Sequence, residues 1–385
     1  MRIARSLGCG FVVLLALWPL AGLKSHAGES GLATQPKLAA EAQQRLSALA
    51  TRYVDEGRVA GLHLMVNRGG QLVFETMVGQ RSMADNRPLS EDDLYRMYSM
   101  TKPITAVAIM QLYERGHFRL ADPITRWLPE LAGLRVRNLD GTLTRLDTPI
   151  TMRHLLTHTA GFSYGFDLSD PLDEAYRAAD LWGAADLDEW VRRLATLPLK
   201  FQPGARWHYS IASDLAGLLV QRMSGQSLAV YLQQAIFEPL KMTDTFFEVP
   251  TPQRARLLDN HFWNKTAGAV ERVLGTVPAL GLNAETDAMS NFDRVSLFSG
   301  GAGLVSTAQD YMRFADMLRL GGALDGARIL ESETLKLMTR NHLPEMVQSA
   351  GHASDASVWA NNSFGYGLGF SVVIDDASWQ PESNI

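Results

Sequence analysis

Between residues 37 and 56 apolar side chains recur at helical spacing, at Leu38, Ala42, Leu46, Leu49 and Tyr53, and Gly57 closes the run. That spacing predicts an amphipathic helix. Two short β-rich runs follow, 62–67 and 72–78, on either side of Gly69-Gly70, and together they predict a hairpin. From residue 94 to about 240 the pattern turns helical. Within it, ITAVAIMQLY at 104–113 is apolar on nearly every side, as a helix buried all round must be, and Gly116 supplies its stop. A polar, tryptophan-bearing stretch at about 260–294 predicts a long loop or small insertion. SGGAGL at 299–304 then leads into a helix over 307–320, and FGYGLGFSVVI at 364–374 alternates as a strand does. Strands near both ends with helices between them predict an α+β domain. Its antiparallel sheet is built from both termini and flanked by helices, with a helical lobe inserted over about 100–295.

Composition narrows the class. With 385 residues, 46% of them hydrophobic and 20% charged, the chain can bury a large core. A formal charge of −5, from 36 basic and 41 acidic residues, lacks the basic clustering that nucleic acid requires. The first 27 residues read as an export signal, removed from a domain that spans 28–385. Arg2 and Arg5 open it, the apolar run at 11–17 is too short to span a bilayer, and Ser25-His26-Ala27 offers small residues for cleavage. The mature protein is then expected to be periplasmic or secreted, without stable membrane insertion. Cys9, the single cysteine, lies inside this segment. Thiol catalysis, disulfides and thiolate metal sites are thereby excluded from the mature chain.

The strongest chemical signal is Ser99-Met100-Thr101-Lys102. Residues three apart share one face of a helical turn, so Lys102 Nζ can approach Ser99 Oγ. Pro103 fits a helix only in its first turn, which places Ser99 at the helix mouth. Free N–H groups and the positive dipole end gather there and suit an oxyanion. Burial of the following helix should partly desolvate Lys102 and ease loss of its proton. Spacing alone also fits a serine N-cap beside a surface lysine.

Other groupings compete. Gly161-Phe162-Ser163-Tyr164-Gly165 matches the nucleophile elbow G-x-S-x-G, but that elbow needs a strand before it, and HLLTHTA precedes Ser163. His154 and His158 have zinc-helix spacing, yet Leu155 replaces the glutamate, so a structural pair is expected. His208 adjoins Tyr209, and neighbours on an extended chain point apart.

In order, LYRMYSMTKPITAVAIMQLYERGHFRLADPI, ITMRHLLTHTAGFSYG, FQPGARWHYSIASDLAGLL and SGGAGLVSTAQDYMRFADML resemble the serine β-lactamase and penicillin-binding-protein superfamily. The resemblance is to its class C-like branch, including the family VIII carboxylesterases, and covers roughly residues 40–375. It implies Ser99 as nucleophile, Lys102 as its lysine, and Tyr209 of Tyr209-Ser210-Ile211 as second base. A phenol with a pKa of about 10 becomes a usable base only beside cations, and Lys102 could be one. Class C β-lactamases carry asparagine two places after this tyrosine, where it contacts the antibiotic's amide. Here Ile211 stands there, which favours the esterase branch.

The resemblance thus implies acyl transfer on a small-molecule ester, with no metal and no organic cofactor. The alternatives are a class C-like β-lactamase or D-alanyl-D-alanine peptidase, and an acylated sensor or scaffold that never turns over. The superfamily's third motif, K-T-G, H-x-G or W-x-G, follows a segment like GYGLGFSVV. Residues 374–385 contain no glycine, and Lys265-Thr266-Ala267-Gly268 has one residue too many and comes too early. The chain is therefore expected to be truncated at its C-terminus, its sheet lacking the last strands, with 364–373 left as an exposed apolar edge.

Overall fold

A computed structural model describes residues 38–264, 266–273, 276–277, 282–283, 292, 295–349 and 364–374. The segment read as an export signal, and the tail on which the expectation of missing strands rests, lie outside the described residues. Helix α1 (Ala40–Asp55) packs against a hairpin of β1 (Gly61–Arg68) and β2 (Gln71–Ser82). The hairpin is antiparallel from Gly61↔Gly79 to Arg68↔Gln71, and β3 (Asp85–Pro88) pairs with the far side of β2. These elements match the periodicities of the first eighty residues.

Strand β4 (Tyr95–Arg96) then pairs with Val305–Ser306. This pairing brings together two segments some two hundred residues apart. Met97 N–H donates to Leu304 O at 2.8 Å, Leu304 N–H to Thr101 Oγ1 at 3.2 Å, and Thr105 Oγ1 to Gly300 O at 2.8 Å. Loop 299–304 is thereby fixed to the start of α2 (Thr101–Glu114).

Helix α2 is the axis of the lobe. Ile104 and residues 106–110 are at most 2% exposed, which explains a sequence with no polar face. Each large apolar side chain so buried contributes roughly 1.5–3 kcal/mol. The helix Ala212–Ser224 lies against it, and α3 (Met152–Leu156) packs on that second helix.

Two expectations change. The polar stretch after residue 260 includes strands His261–Asn264 and Ala269–Arg272, paired as a hairpin. Asn264 Oδ1 accepts the N–H groups of Thr266 and Ala267 at 3.0 and 3.1 Å, so a polar residue builds the turn. The C-terminal segment also departs from the expected sheet. Among the described residues, Phe364–Tyr366 pairs with Ser371–Val373 and not with β1–β3. Nor is it an exposed edge throughout, since Tyr366 is 6% and Leu368 0% exposed. The cause is the turn between the strands, which inserts into the body. Leu368 N–H reaches Met338 O, Gly369 N–H reaches Leu156 O, both at 2.9 Å, and a Cβ on Gly369 would collide with Ala106.

Candidate active site

Ser99 sits in a single 3₁₀ turn, Tyr98–Met100, between β4 and α2. Tyr98 before it takes a left-handed φ of 43°, a conformation that costs a non-glycine residue about 1 kcal/mol or more. Asn260 Nδ2 donates to the Tyr98 hydroxyl at 2.6 Å and holds this side chain in place. The turn leaves Ser99 exposed while the residues on either side of it dip inward. Helix α2 starts at Thr101, so Pro103 falls in its first turn, where its missing N–H costs nothing.

Lys102 is 4% exposed. Its Nζ lies 3.3 Å from Ser99 Oγ and donates to Gly301 O at 2.9 Å. It also lies over two aromatic rings, Tyr209 at 4.5 Å and Tyr164 at 5.1 Å, whose faces favour a cation. The Tyr209 hydroxyl donates to Ser99 Oγ at 2.6 Å. Ser99, Lys102 and Tyr209 are therefore brought together: an exposed hydroxyl, a buried amine and a phenol converge on one oxygen.

The loop carrying Tyr209 is pinned from beneath by His158. His208 N–H donates to His158 O at 2.9 Å, and Ser210 N–H to His158 Nδ1 at 3.3 Å. The His158 ring packs 5.1 Å from that of Tyr209 and edge-on to Trp207 and Tyr366. Burial, with Lys102 adding to it, pushes the His158 pKa well below the ordinary histidine value, so the ring packs as a neutral group. His154 serves another end. It forms a capping box with Thr151 at the start of α3, and the two histidines have separate structural duties.

Ser163 has neighbours that the sequence did not reveal. His208 Nε2 lies 3.3 Å from its Oγ, and Asp173 Oδ1 lies at 2.6 Å. The trio has the composition of a catalytic triad but the wrong connectivity. The Ser163 hydroxyl donates to the carboxylate directly, whereas a triad serine gives its proton to histidine. Its oxygen also accepts Gly165 N–H at 3.2 Å, and the residue is 1% exposed. Asp173 is further engaged by Lys200 at 2.7 Å. Ser163 is locked within a buried polar cluster.

Three residues beside the convergence escaped the sequence reading: Tyr164, Asp214 and Gly301. Asp214 lies five residues after Tyr209 and is the acidic residue in the apolar stretch ASDLAGLLV. A lone carboxylate in a buried helix was the available signal.

Fold and chemistry together define a serine hydrolase. The profile of the Beta-lactamase family matches residues 46–378, and the chain belongs to that family. Among its relatives, Protein Rv1367c of Mycobacterium tuberculosis is 34% identical over 85% of this chain and 78% of its own. Esterase EstB of Burkholderia gladioli is 32% identical over 88% and 81%. Among solved structures, EstCE1, a hydrolase with promiscuous acyltransferase activity, superposes with a TM-score of 0.69. Its identity is 26%, over 86% of this chain and 83% of that one.

Proposed function

We propose that the chain is an exported carboxylesterase acting on small esters through an acyl-enzyme on Ser99. The observation that carries this reading is the approach of Tyr209 OH and Lys102 Nζ to Ser99 Oγ, at 2.6 and 3.3 Å. Ser99 Oγ attacks the ester carbonyl while its proton passes to Lys102, assisted by Tyr209. The same groups return a proton to the departing alkoxide, and water or another alcohol then cleaves the acyl-enzyme. The hydroxyl is open to solvent and the amine is not, so substrate meets the nucleophile while the base stays dry.

Support for an ester substrate comes from two places. Ile211 is 1% exposed and part of the core, so the position that holds an amide-binding asparagine in class C β-lactamases offers no polar group here. Phe166, 64% exposed, stacks on Tyr164 at 5.0 Å and adds an apolar surface beside the reacting groups. The relatives named esterase and hydrolase point the same way. For export, the support is the charged, apolar and small-residue order of residues 1–27.

Covalent labelling tests the reading. Ser99→Ala is expected to abolish labelling by a fluorophosphonate probe, and Ser163→Ala to retain it in the folded fraction. Label retained in Ser99→Ala and lost in Ser163→Ala would refute it. Turnover of a short-chain nitrophenyl ester against nitrocefin then separates esterase from β-lactamase.

A further inference from the structure

Asp214 lies in the first turn of the helix Ala212–Ser224 and is 5% exposed. Both its carboxylate oxygens are engaged. Oδ1 accepts Ser299 Oγ at 2.5 Å and Gly301 N–H at 2.9 Å, and Oδ2 accepts the Tyr164 hydroxyl at 3.1 Å. Two of these three donors belong to the walls around Lys102. The carbonyl of Gly301 accepts a hydrogen bond from Lys102 Nζ at 2.9 Å, and the ring of Tyr164 faces the same nitrogen at 5.1 Å. The approach is close enough that a side chain at residue 301 would force Tyr164 or Asp214 to shift. A Cβ there would lie 2.5 Å from Tyr164 OH and 2.6 Å from Asp214 Oδ2.

A buried carboxylate costs several kcal/mol unless it is paired and hydrogen-bonded. Leu215, Leu218 and Leu219, its neighbours on the helix, are all fully buried, so packing alone would be met by an apolar residue. Burial pushes the Asp214 carboxyl above the usual carboxylate range, while the charge of Lys102 and the three donors hold it down. The titratable groups around Lys102 are Tyr209 and Tyr164, with His158 and Tyr366 behind them. Those around Asp214 are Lys102 and Tyr164. Asp214 brings the carboxyl to this group.

We propose that Asp214 is a positioning residue for the proton acceptor, holding Lys102 Nζ against Ser99 Oγ through Gly301 and Tyr164. This rests on the reading of Ser99 and Lys102 as nucleophile and base. In the step concerned, the Ser99 Oγ–H bond breaks and its proton goes to the neutral amine. The oxygen's electron pair forms the bond to the ester carbon, and the carbonyl π pair moves to the carbonyl oxygen. Misplacing the amine by an ångström slows this step.

Steady-state kinetics of Asp214→Asn on a short-chain nitrophenyl ester tests this. The expected result is a kcat lower by about 10- to 100-fold with KM within about 3-fold. A wild-type kcat overturns the proposal. Ser99→Ala is measured alongside: label surviving there overturns the catalytic reading itself, a separate outcome from normal kinetics in Asp214→Asn. Should Asp214→Asn not fold, Tyr164→Phe keeps the ring beside Lys102 and removes one donor. It is expected to lower kcat by about 3-fold or more at constant KM, and a wild-type kcat in it is equally fatal.

Discussion

His208 makes the fold sensitive to acid. Burial, with Lys200 adding its charge, pushes the His208 pKa down to about 4, against the opposing pull of Asp173, Asp170 and Asp167. The unfolded chain protonates this histidine near pH 6.5, so between about pH 6.5 and 4 the unfolded state binds a proton that the native state refuses. The stability contributed is therefore complete above pH 6.5 and is lost as pH falls towards 4, by on the order of 3 kcal/mol in all. His154, His261 and His342 are displaced in the same direction by burial and steepen the decline. Thermal unfolding of wild type and His208→Gln at pH 7 and pH 5 should show a shallower pH dependence in the variant. Equal slopes would contradict the assignment. Legibility at this scale follows chain distance. Ser99 and Lys102 are three residues apart, so helical geometry alone puts them together. Tyr164, Asp214 and Gly301 meet across separations of 50 and 87 residues, which no local spacing encodes.

Among the elements, the glycine-rich loop before the helix Ala308–Arg319 has the most to lose from a small change. Read as a sequence, SGGAGL is a helix lead-in. In the fold, Gly300 lies against the backbone of Ser213, where a Cβ would come within 2.5 Å of the carbonyl oxygen. That oxygen is backbone and cannot swing aside, so Gly300→Ala must push the loop from the helix Ala212–Ser224 and carry the Gly301 carbonyl away from Lys102. The expected result is a kcat reduced by about 10-fold or more, together with a stability loss of about 1–3 kcal/mol. Kinetics and thermal unfolding of the same preparation check both, and a folded variant with unchanged kcat would show that the loop tolerates displacement. Helix α2 and the β1–β2 hairpin were legible because their periodicities are local. The Phe364–Tyr366 strand was legible as a strand but not in its pairing, because alternation says nothing about which partner a strand takes.

Across the whole molecule, the β4 pairing with Val305–Ser306 has a consequence for the order of events during folding. Lys102 and the carbonyl that accepts its hydrogen bond are 199 residues apart, so the contact closes a loop containing most of the helical lobe. Such closure is entropically unfavourable until the packing within the loop is in place, and contacts of this range form late. A ribosome-tethered chain ending near residue 295 has made the proposed nucleophile and both proposed bases, yet lacks the segment that seats the amine. Such a chain is expected to take up a fluorophosphonate probe far more slowly than one released after residue 320, and equal rates in the two would sink the idea. Competence to acylate thus arrives as a single late event in the life of the polypeptide, and the growing chain carries its serine unarmed until the two strands meet.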